Sequence, residues 1–224
     1  MISKIIIATG NAHKAEEIRA ILGSSYTYET LKNYPAAPKA VEDAPTFAGN
    51  SIKKAVALAR WLAAVQFSSD TWVLADDSGL EVDCLGGAPG VHSARFANIE
   101  SGKEGNSSDA DNNAKLLRLL APHPRPWTAR FKCVLAWAPI LPPGELSASP
   151  VCFANDTELA AEIFEGACEG EIIPAARGNQ GFGYDPLFVP RGYDRSFAEL
   201  GDQIKNNLSH RAKALNLLKT RLHS

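Results

Sequence analysis

The sequence predicts a mixed α/β fold built as one domain over residues 1–224, and three observations carry that prediction. The apolar run Ile5-Ile6-Ile7 passes through a Gly-containing turn into a helical pattern, the start of a β-α alternation. The middle of the chain is a strand-rich block, which points to a mixed sheet with flanking helices, not a purely parallel one. With 45% hydrophobic and 21% charged residues, the chain can bury a sizeable core.

Taken in order, Ile5–Ala8 reads as the first strand and residues 13–22 and 47–65 as helices by their 3.6-residue apolar spacing. Trp72–Ala75 and Leu80–Cys84 read as strands with D-D-S-G between them, a turn signal whose plain structural meaning is a hairpin. "NIESGKEGNSSD" (98–109) is polar and reads as a mobile loop ahead of a helix over 110–120. Ala129–Trp137, Glu158–Phe164 and Leu187–Val189 read as strands, and "APILPPGELSASP" (138–150) as a long hairpin connection. A last helix over 209–222 carries the apolar stripe Ala212, Leu215, Leu218 and Leu222.

Composition excludes several classes. A net charge of −2 gives no global basic field to recruit nucleic acid, so any anion must be held by local groups. Cys84, Cys133, Cys152 and Cys168 lie far apart without a C-x-x-C pair, against a zinc site or a disulfide framework; buried reduced thiols fit a cytoplasmic protein. The N-terminal apolar run is too short for a signal peptide, and no stretch approaches a membrane span. No dinucleotide fingerprint follows the first strand, which disfavours a redox enzyme.

The first turn is neither a P-loop nor G-x-G-x-x-G, yet it places Lys14 at a helix start, where a cation opposes the macrodipole. A helix start already offers free N–H donors, so a lysine there makes sense if an anion arrives to be shared. Thr9, Gly10 and Asn11 let the backbone approach it closely. "KNNLSHRAKAL" (205–215) repeats the device: Ser209 as N-cap, His210 and Arg211 in the first turn, Lys205 just upstream. Two cationic helix starts point to an extended polyanion; the alternative for each is a solvated face.

"LADDSGLEVD" (74–83) is the acidic counterpart. Asp76 and Asp77 point to opposite faces of an extended chain, so one of them enters the site. A carboxylate beside a polyphosphate needs a hard cation between them, and Mg²⁺ is the natural candidate, with Glu42 as a second acidic contributor. In "NQGFGYDPLF" (179–188), two glycines around Phe182 make a closely approachable backbone, and Phe182 or Tyr184 is placed to stack on a base.

Together, T-G-N-A-H-K (9–14), T-F-A-G-N (46–50), A-D-D-S-G-L (75–80), G-G-A-P-G-V-H-S-A-R (86–95), G-F-G-Y-D-P (181–186) and S-H-R (209–211) resemble the inosine triphosphate pyrophosphatase family, the Ham1-like pyrophosphatases. The motifs stand in the family's order along almost the whole chain. The resemblance implies an elongated mixed sheet with two lobes around a central active-site cleft, a homodimer, and Mg²⁺-dependent hydrolysis of ITP, dITP or XTP to monophosphate and pyrophosphate. By position it implies that Thr9, Gly10, Asn11, Ala12, His13 and Lys14 hold the triphosphate, with Lys54 near the phosphates. Asp77 is then the catalytic carboxylate beside the metal, with Glu42 also linked to the metal, and Ser78 contacts substrate. Phe182, Gly183, Tyr184, Asp185, Lys205, His210 and Arg211 form the nucleoside end. Backbone N–H groups of the 182–185 turn, or His210 and Arg211, are expected to satisfy the purine C6 oxygen. Two positions depart from the pattern: Gly49 stands where many relatives carry Glu, and His92 where Tyr is frequent. The competing functions are a Maf-type pyrophosphatase for modified nucleotides and a nucleotide-binding regulator that does not hydrolyse.

Overall fold

The computed structural model describes residues 2–65, 68–102, 104–141, 151–154 and 157–223, with backbone alone at 101, 151–154 and 157–160. The elements, in chain order, are β1 (Lys4–Ile7), α1 (Ala12–Leu22), β2 (Thr27–Thr30), α2 (Phe47–Val65), β3 (Thr71–Val82), α3 (Asn98–Ser101), α4 (Asp109–Leu120), β4 (Trp127–Pro139), β5 (Val151–Ala154), β6 (Thr157–Ala160), β7 (Glu162–Ile172), β8 (Phe188–Pro190), α5 (Phe197–Leu208) and α6 (His210–His223). Six strands form a mixed sheet in the order β2-β1-β3-β4-β7-β8, and β5 pairs with β6 apart from it. The chain divides into two units: Met1–Asp77 with Val134–Glu165 and Ala214–Ser224, and Ser78–Cys133 with Gly166–Lys213. The unit boundaries cut β3 between Asp77 and Ser78, and fall inside β4, β7 and α6 as well.

In the first unit β1 lies parallel to β2 and to β3, Ile7 opposite Thr30 on one side and Leu74 on the other. A strand covered on both faces reads as an unbroken apolar run, which is why Ile5, Ile6 and Ile7 are all fully buried. Ile6, Val73 and Ala75 meet Ile52, Leu58 and Leu62 of α2 in one core. Parallel pairing puts the C-terminal end of β1 beside Leu74 in the first third of β3, and Ala8 N–H donates to the Leu74 carbonyl at 2.8 Å. The turn after β1 is thereby set next to Ala75–Asp77. Crevices outside strand carboxyl ends are where α/β sheets bind ligands.

The second unit has its own core, with Leu80, Val82, Leu116, Phe131, Phe188 and Phe197. Phe188 is the centre of an aromatic row, 4.7 Å from Phe131 and 5.3 Å from Phe197 by ring centroids. β8 pairs antiparallel with β7.

The structure corrects several expectations. Residues 71–82 form one strand, not a hairpin; the D-D-S-G carboxylates are paired with lysines, which lets charge stay inside a buried strand. Within the 98–109 segment α3 occupies the start, Ser107 Oγ accepts from Asn98 N–H at 3.0 Å, and Ser108 caps α4. The strand expected over 158–164 is divided between β6 and β7, and α5 was not expected. Its start carries a capping box, Ser196 with Glu199, and it is broken at Gly201. Leu222 at the end of the expected stripe is half-buried, whereas Ala212, Leu215 and Leu218 are fully buried. Of the four cysteines, Cys133 and Cys168 are buried free thiols, Cys84 is exposed, and the Cys152 side chain lies outside the described residues. Burial pushes the Cys168 thiol up to about 11. The hairpin connection expected at 138–150 lies outside the described residues from 142 onward. Among the described residues, no helix is long and apolar enough to cross a membrane.

Candidate active site

In the first unit three elements converge on Asp76 and Asp77. The turn after β1 leaves Gly10, Asn11, Ala12 and His13 exposed, with Thr9 half-buried. Thr9 Oγ1 accepts from Asn11 N–H at 3.1 Å, and Asn11 Oδ1 caps α1 by accepting from Lys14 N–H at 3.2 Å. α1 carries no acidic residue in its first turn, so no carboxylate of that turn repels an incoming anion. Lys14 Nζ reaches from α1 to Asp76 Oδ1 at 2.6 Å.

α2 supplies the second lysine. Asn50 and Ser51 lie four and three residues before Lys54, each within one helical turn of it. Asn50 Nδ2 donates to Asp77 Oδ2 at 3.4 Å and Ser51 Oγ to the Ala75 carbonyl at 3.2 Å. Lys54 Nζ donates to Asp77 Oδ1 at 2.7 Å, the Asp76 carbonyl at 2.9 Å and Glu42 Oε2 at 3.2 Å. Asn50 Oδ1 accepts from Ala44 N–H at 2.9 Å, tying the segment that carries Glu42 to the start of α2. Gly49 belongs to the same fit: a Cβ there would stand 2.6 Å from Ala44 Cβ and 3.2 Å from Thr46 Oγ1.

Three carboxylates (Glu42, Asp76, Asp77) thus gather around the ammonium groups of Lys14 and Lys54. Burial pushes the Asp77 carboxyl above the ordinary carboxylate value, against the pull of Lys54 and Lys14. Burial pulls Lys54 the other way, toward the neutral amine, but Asp77, Glu42 and Asp76 together outweigh it and hold its ammonium above the ordinary lysine value. A hard cation held by one or two carboxylates and completed by phosphate oxygens and water fits such a donor set. A cage made by protein alone does not: among the described residues, no three His, Cys, Asp or Glu side chains group closely enough to hold a metal ion.

The second unit gathers the remaining expected residues. Arg211, 1% exposed, donates from Nη2 to Ser78 Oγ at 2.9 Å and lies 5.9 Å from the centroid of Phe182. A solvated face is thereby excluded for Arg211. Lys205 is not a cation poised at a helix start: it is buried in α5, salt-bridged to buried Asp185 at 2.6 Å and 4.4 Å over the Phe182 ring. His210 stacks on Phe131 at 4.9 Å, and Ser209 Oγ caps α6 by accepting from Ala212 N–H at 3.2 Å.

The 181–185 turn is tightly determined. Asp185 Oδ2 accepts from Phe182 N–H at 2.8 Å, and a Cβ on Gly181 would sit 2.2 Å from that same oxygen. Gly183 N–H donates to Asp109 Oδ2 at 2.7 Å, and Asp185 N–H to the Phe182 carbonyl at 3.3 Å. The backbone donors expected to read a purine oxygen at Phe182, Gly183 and Asp185 are therefore engaged inside the protein. Tyr184 is core: buried, with its hydroxyl donating to the Ser93 carbonyl at 2.9 Å, and burial raises its phenol. Sequence reading missed Asn50, although it closes the quoted T-F-A-G-N stretch, and missed Asp109, whose role depends on a turn 74 residues away.

The chain has counterparts among known proteins. The family model described as the Ham1 family matches residues 5–221. A dITP/XTP pyrophosphatase of Opitutus terrae is 41% identical over 94% of this chain and 94% of its own length. A second, from Desulforamulus reducens, is 43% identical over 95% and 92%. The structure of a HAM1 protein from Coxiella burnetii superposes with a TM-score of 0.76 at 33% identity, covering 99% of both chains. This chain belongs to the Ham1 family.

Proposed function

We propose that this chain hydrolyses the deaminated purine nucleoside triphosphates ITP, dITP and XTP to the monophosphate and pyrophosphate, as a Mg²⁺-dependent homodimer in the cytoplasm. The observation that carries the reading is the pair of adjacent buried carboxylates, each held by its own lysine, beside the exposed first turn of α1. The names of the relatives, dITP/XTP pyrophosphatases that match nearly end to end, support the same substrate class.

In this reading the triphosphate lies against Thr9–Lys14, where the N–H groups of α1 and the Lys14 ammonium meet its charge. Lys14 passes from Asp76 to a phosphate oxygen, and Lys54 stays at the carboxylates and the phosphates. Mg²⁺ would be held by Asp77 and Glu42 and would supply a hard positive charge between these carboxylates and the phosphates. Asp77 orients a water toward the α-phosphorus and takes its proton as the new P–O bond forms. The bond from the α-phosphorus to the bridging oxygen breaks, and pyrophosphate leaves with the electron pair. Lys14 and the helix N–H groups stabilise the charge that grows on that oxygen.

The nucleoside end is assigned to Ser78, Phe182–Asp185, Lys205, His210 and Arg211. With the turn's N–H groups at 182, 183 and 185 engaged internally, recognition of the C6 oxygen falls to side-chain donors, Arg211 and His210. Adenine presents a donor at the same place. Each protein donor left unpaired in a buried site costs about 1–3 kcal/mol, so two would discriminate by about a hundredfold or more.

The test is a panel of ATP, GTP, CTP, UTP, ITP, XTP and dITP with Mg²⁺, with products identified as well as rates. ITP, XTP and dITP are expected to be cleaved fastest, each to monophosphate and pyrophosphate. Diphosphate with orthophosphate would exclude attack at the α-phosphorus, and equal rates on ATP would remove the selectivity argument.

A further inference from the structure

We infer that Asp109 and Asn113 of α4 form a clamp on Gly183 that sets the 182–185 turn for base recognition, making them positioning residues for substrate selectivity. The inference rests on the assignment of that turn to the purine. Gly183 has a positive φ of 63°, a conformation that favours glycine and leaves its peptide groups outside any ladder. Its N–H donates to Asp109 Oδ2 at 2.7 Å, and its carbonyl accepts from Asn113 Nδ2 at 3.0 Å. The two side chains are four residues apart and so lie on one helix face, one turn above the other. Both polar groups of a single residue are thus held by one rigid element.

That element is itself anchored. Leu116 and Leu120 are fully buried in the second unit's core, Ser108 caps the first turn, and Asn112 Oδ1 accepts from Ala97 N–H at 2.9 Å. Asn113 also carries a penalty: its Oδ1 is buried with no hydrogen-bond partner among the described residues. An apolar side chain of similar size would avoid that loss, so what the amide contributes is its donor to Gly183. Phe182 and Tyr184 flank the clamped residue, so a shift of Gly183 moves both rings' attachment points.

The experiment compares Asn113→Leu, Asp109→Ala and Asp109→Asn with Phe182→Ala, measuring kcat and KM for ITP and ATP and the melting temperature of each. Asn113→Leu and Asp109→Ala are expected to raise KM for ITP by about tenfold with kcat nearly kept, and to narrow the ITP-to-ATP ratio of kcat/KM, at unchanged melting temperature. Asp109→Asn retains an acceptor and should restore most of the ratio. If Phe182→Ala narrows the ratio while the clamp variants leave it unchanged, the clamp is overturned and the base assignment stands. If none of the four moves KM or the ratio, the clamp and the assignment beneath it both fall. A loss of kcat alone, equal for ITP and ATP, would also overturn the clamp.

Discussion

Asp76 and Asp77 are consecutive residues of β3, yet each is bound by a lysine from a different helix, Lys14 of α1 and Lys54 of α2. Alternation along a strand sends successive side chains to opposite faces, so two helices are needed to reach both. Lys54 bridges the two positions by also donating to the Asp76 carbonyl.

Asp77→Asn keeps the shape of the site and removes the charge that would accept a proton. Turnover of ITP should fall by about two to four orders of magnitude, the span of general-base catalysis, while nucleotide binding persists. Near wild-type kcat in this variant, with Asp76→Asn inactive, would exchange the roles of the two residues.

Lys14→Ala should lower kcat/KM severely, because the turn then lacks the only lysine that α1 contributes. Lys14→Arg should recover a part, since a planar fork does not replace a compact ammonium. Normal kinetics in Lys14→Ala would remove Lys14 from the phosphate site.

Lys54→Met tests the charge balance without relying on turnover. It removes the ammonium that Asp77 and Glu42 share, so Mg²⁺ added without nucleotide should bind at least about tenfold more tightly in a calorimeter. Unchanged or weaker Mg²⁺ binding would mean that Lys54 and the metal do not compete for the same carboxylates.

Lys205→Met should destabilise the fold by about 3–5 kcal/mol, because it breaks the buried ion pair with Asp185 from one side. Adding Asp185→Asn should return part of that loss, since a neutral amide still accepts from Phe182 N–H. Chemical denaturation of the single and double variants decides it; a double variant no better than the single one rules out the charge explanation.

A pH effect is expected away from the site. The hydrogen bond from Tyr34, opposed by burial and aided by Lys4, holds Glu29 below its ordinary value of 4.5. A depressed carboxylate stabilises the folded state fully above its unfolded value and loses that contribution as pH falls through the folded one. Stability of the wild type should therefore drop below about pH 4.5 more steeply than that of Glu29→Gln. Parallel acid curves would show that the Tyr34 contact adds nothing.

Elements with local periodicity were legible in the sequence. β1, α1, α2, α4 and α6 each announce themselves by apolar spacing, because a helix or central strand writes its buried face into neighbouring residues. β3 was not legible as one strand, since D-D-S-G reads as a turn unless Lys54, 23 residues away, and Lys14, 62 away, are known to neutralise it. α5 was hidden by Gly201, although S-F-A-E at 196–199 is a readable capping box. For the site, residue types and motifs pointed to Lys14, Asp77 and Arg211. What they could not convey is pairing: that Lys205 is committed to Asp185, or that the turn's N–H groups at Phe182 and Gly183 are already engaged.

The close packing at Gly49 constrains the routes by which this sequence can change. A glutamate at that position, the residue the family resemblance leads one to expect there, is a costly first step, because its Cβ would stand 2.6 Å from Ala44 Cβ. A chain that first exchanges Ala44 for glycine opens the space and can then accept glutamate. The reverse order passes through an intermediate whose 42–46 segment is displaced, and Glu42 with it. The two positions therefore form an epistatic pair: Gly49→Glu is expected to impair the protein alone and to be tolerated in the Ala44→Gly background.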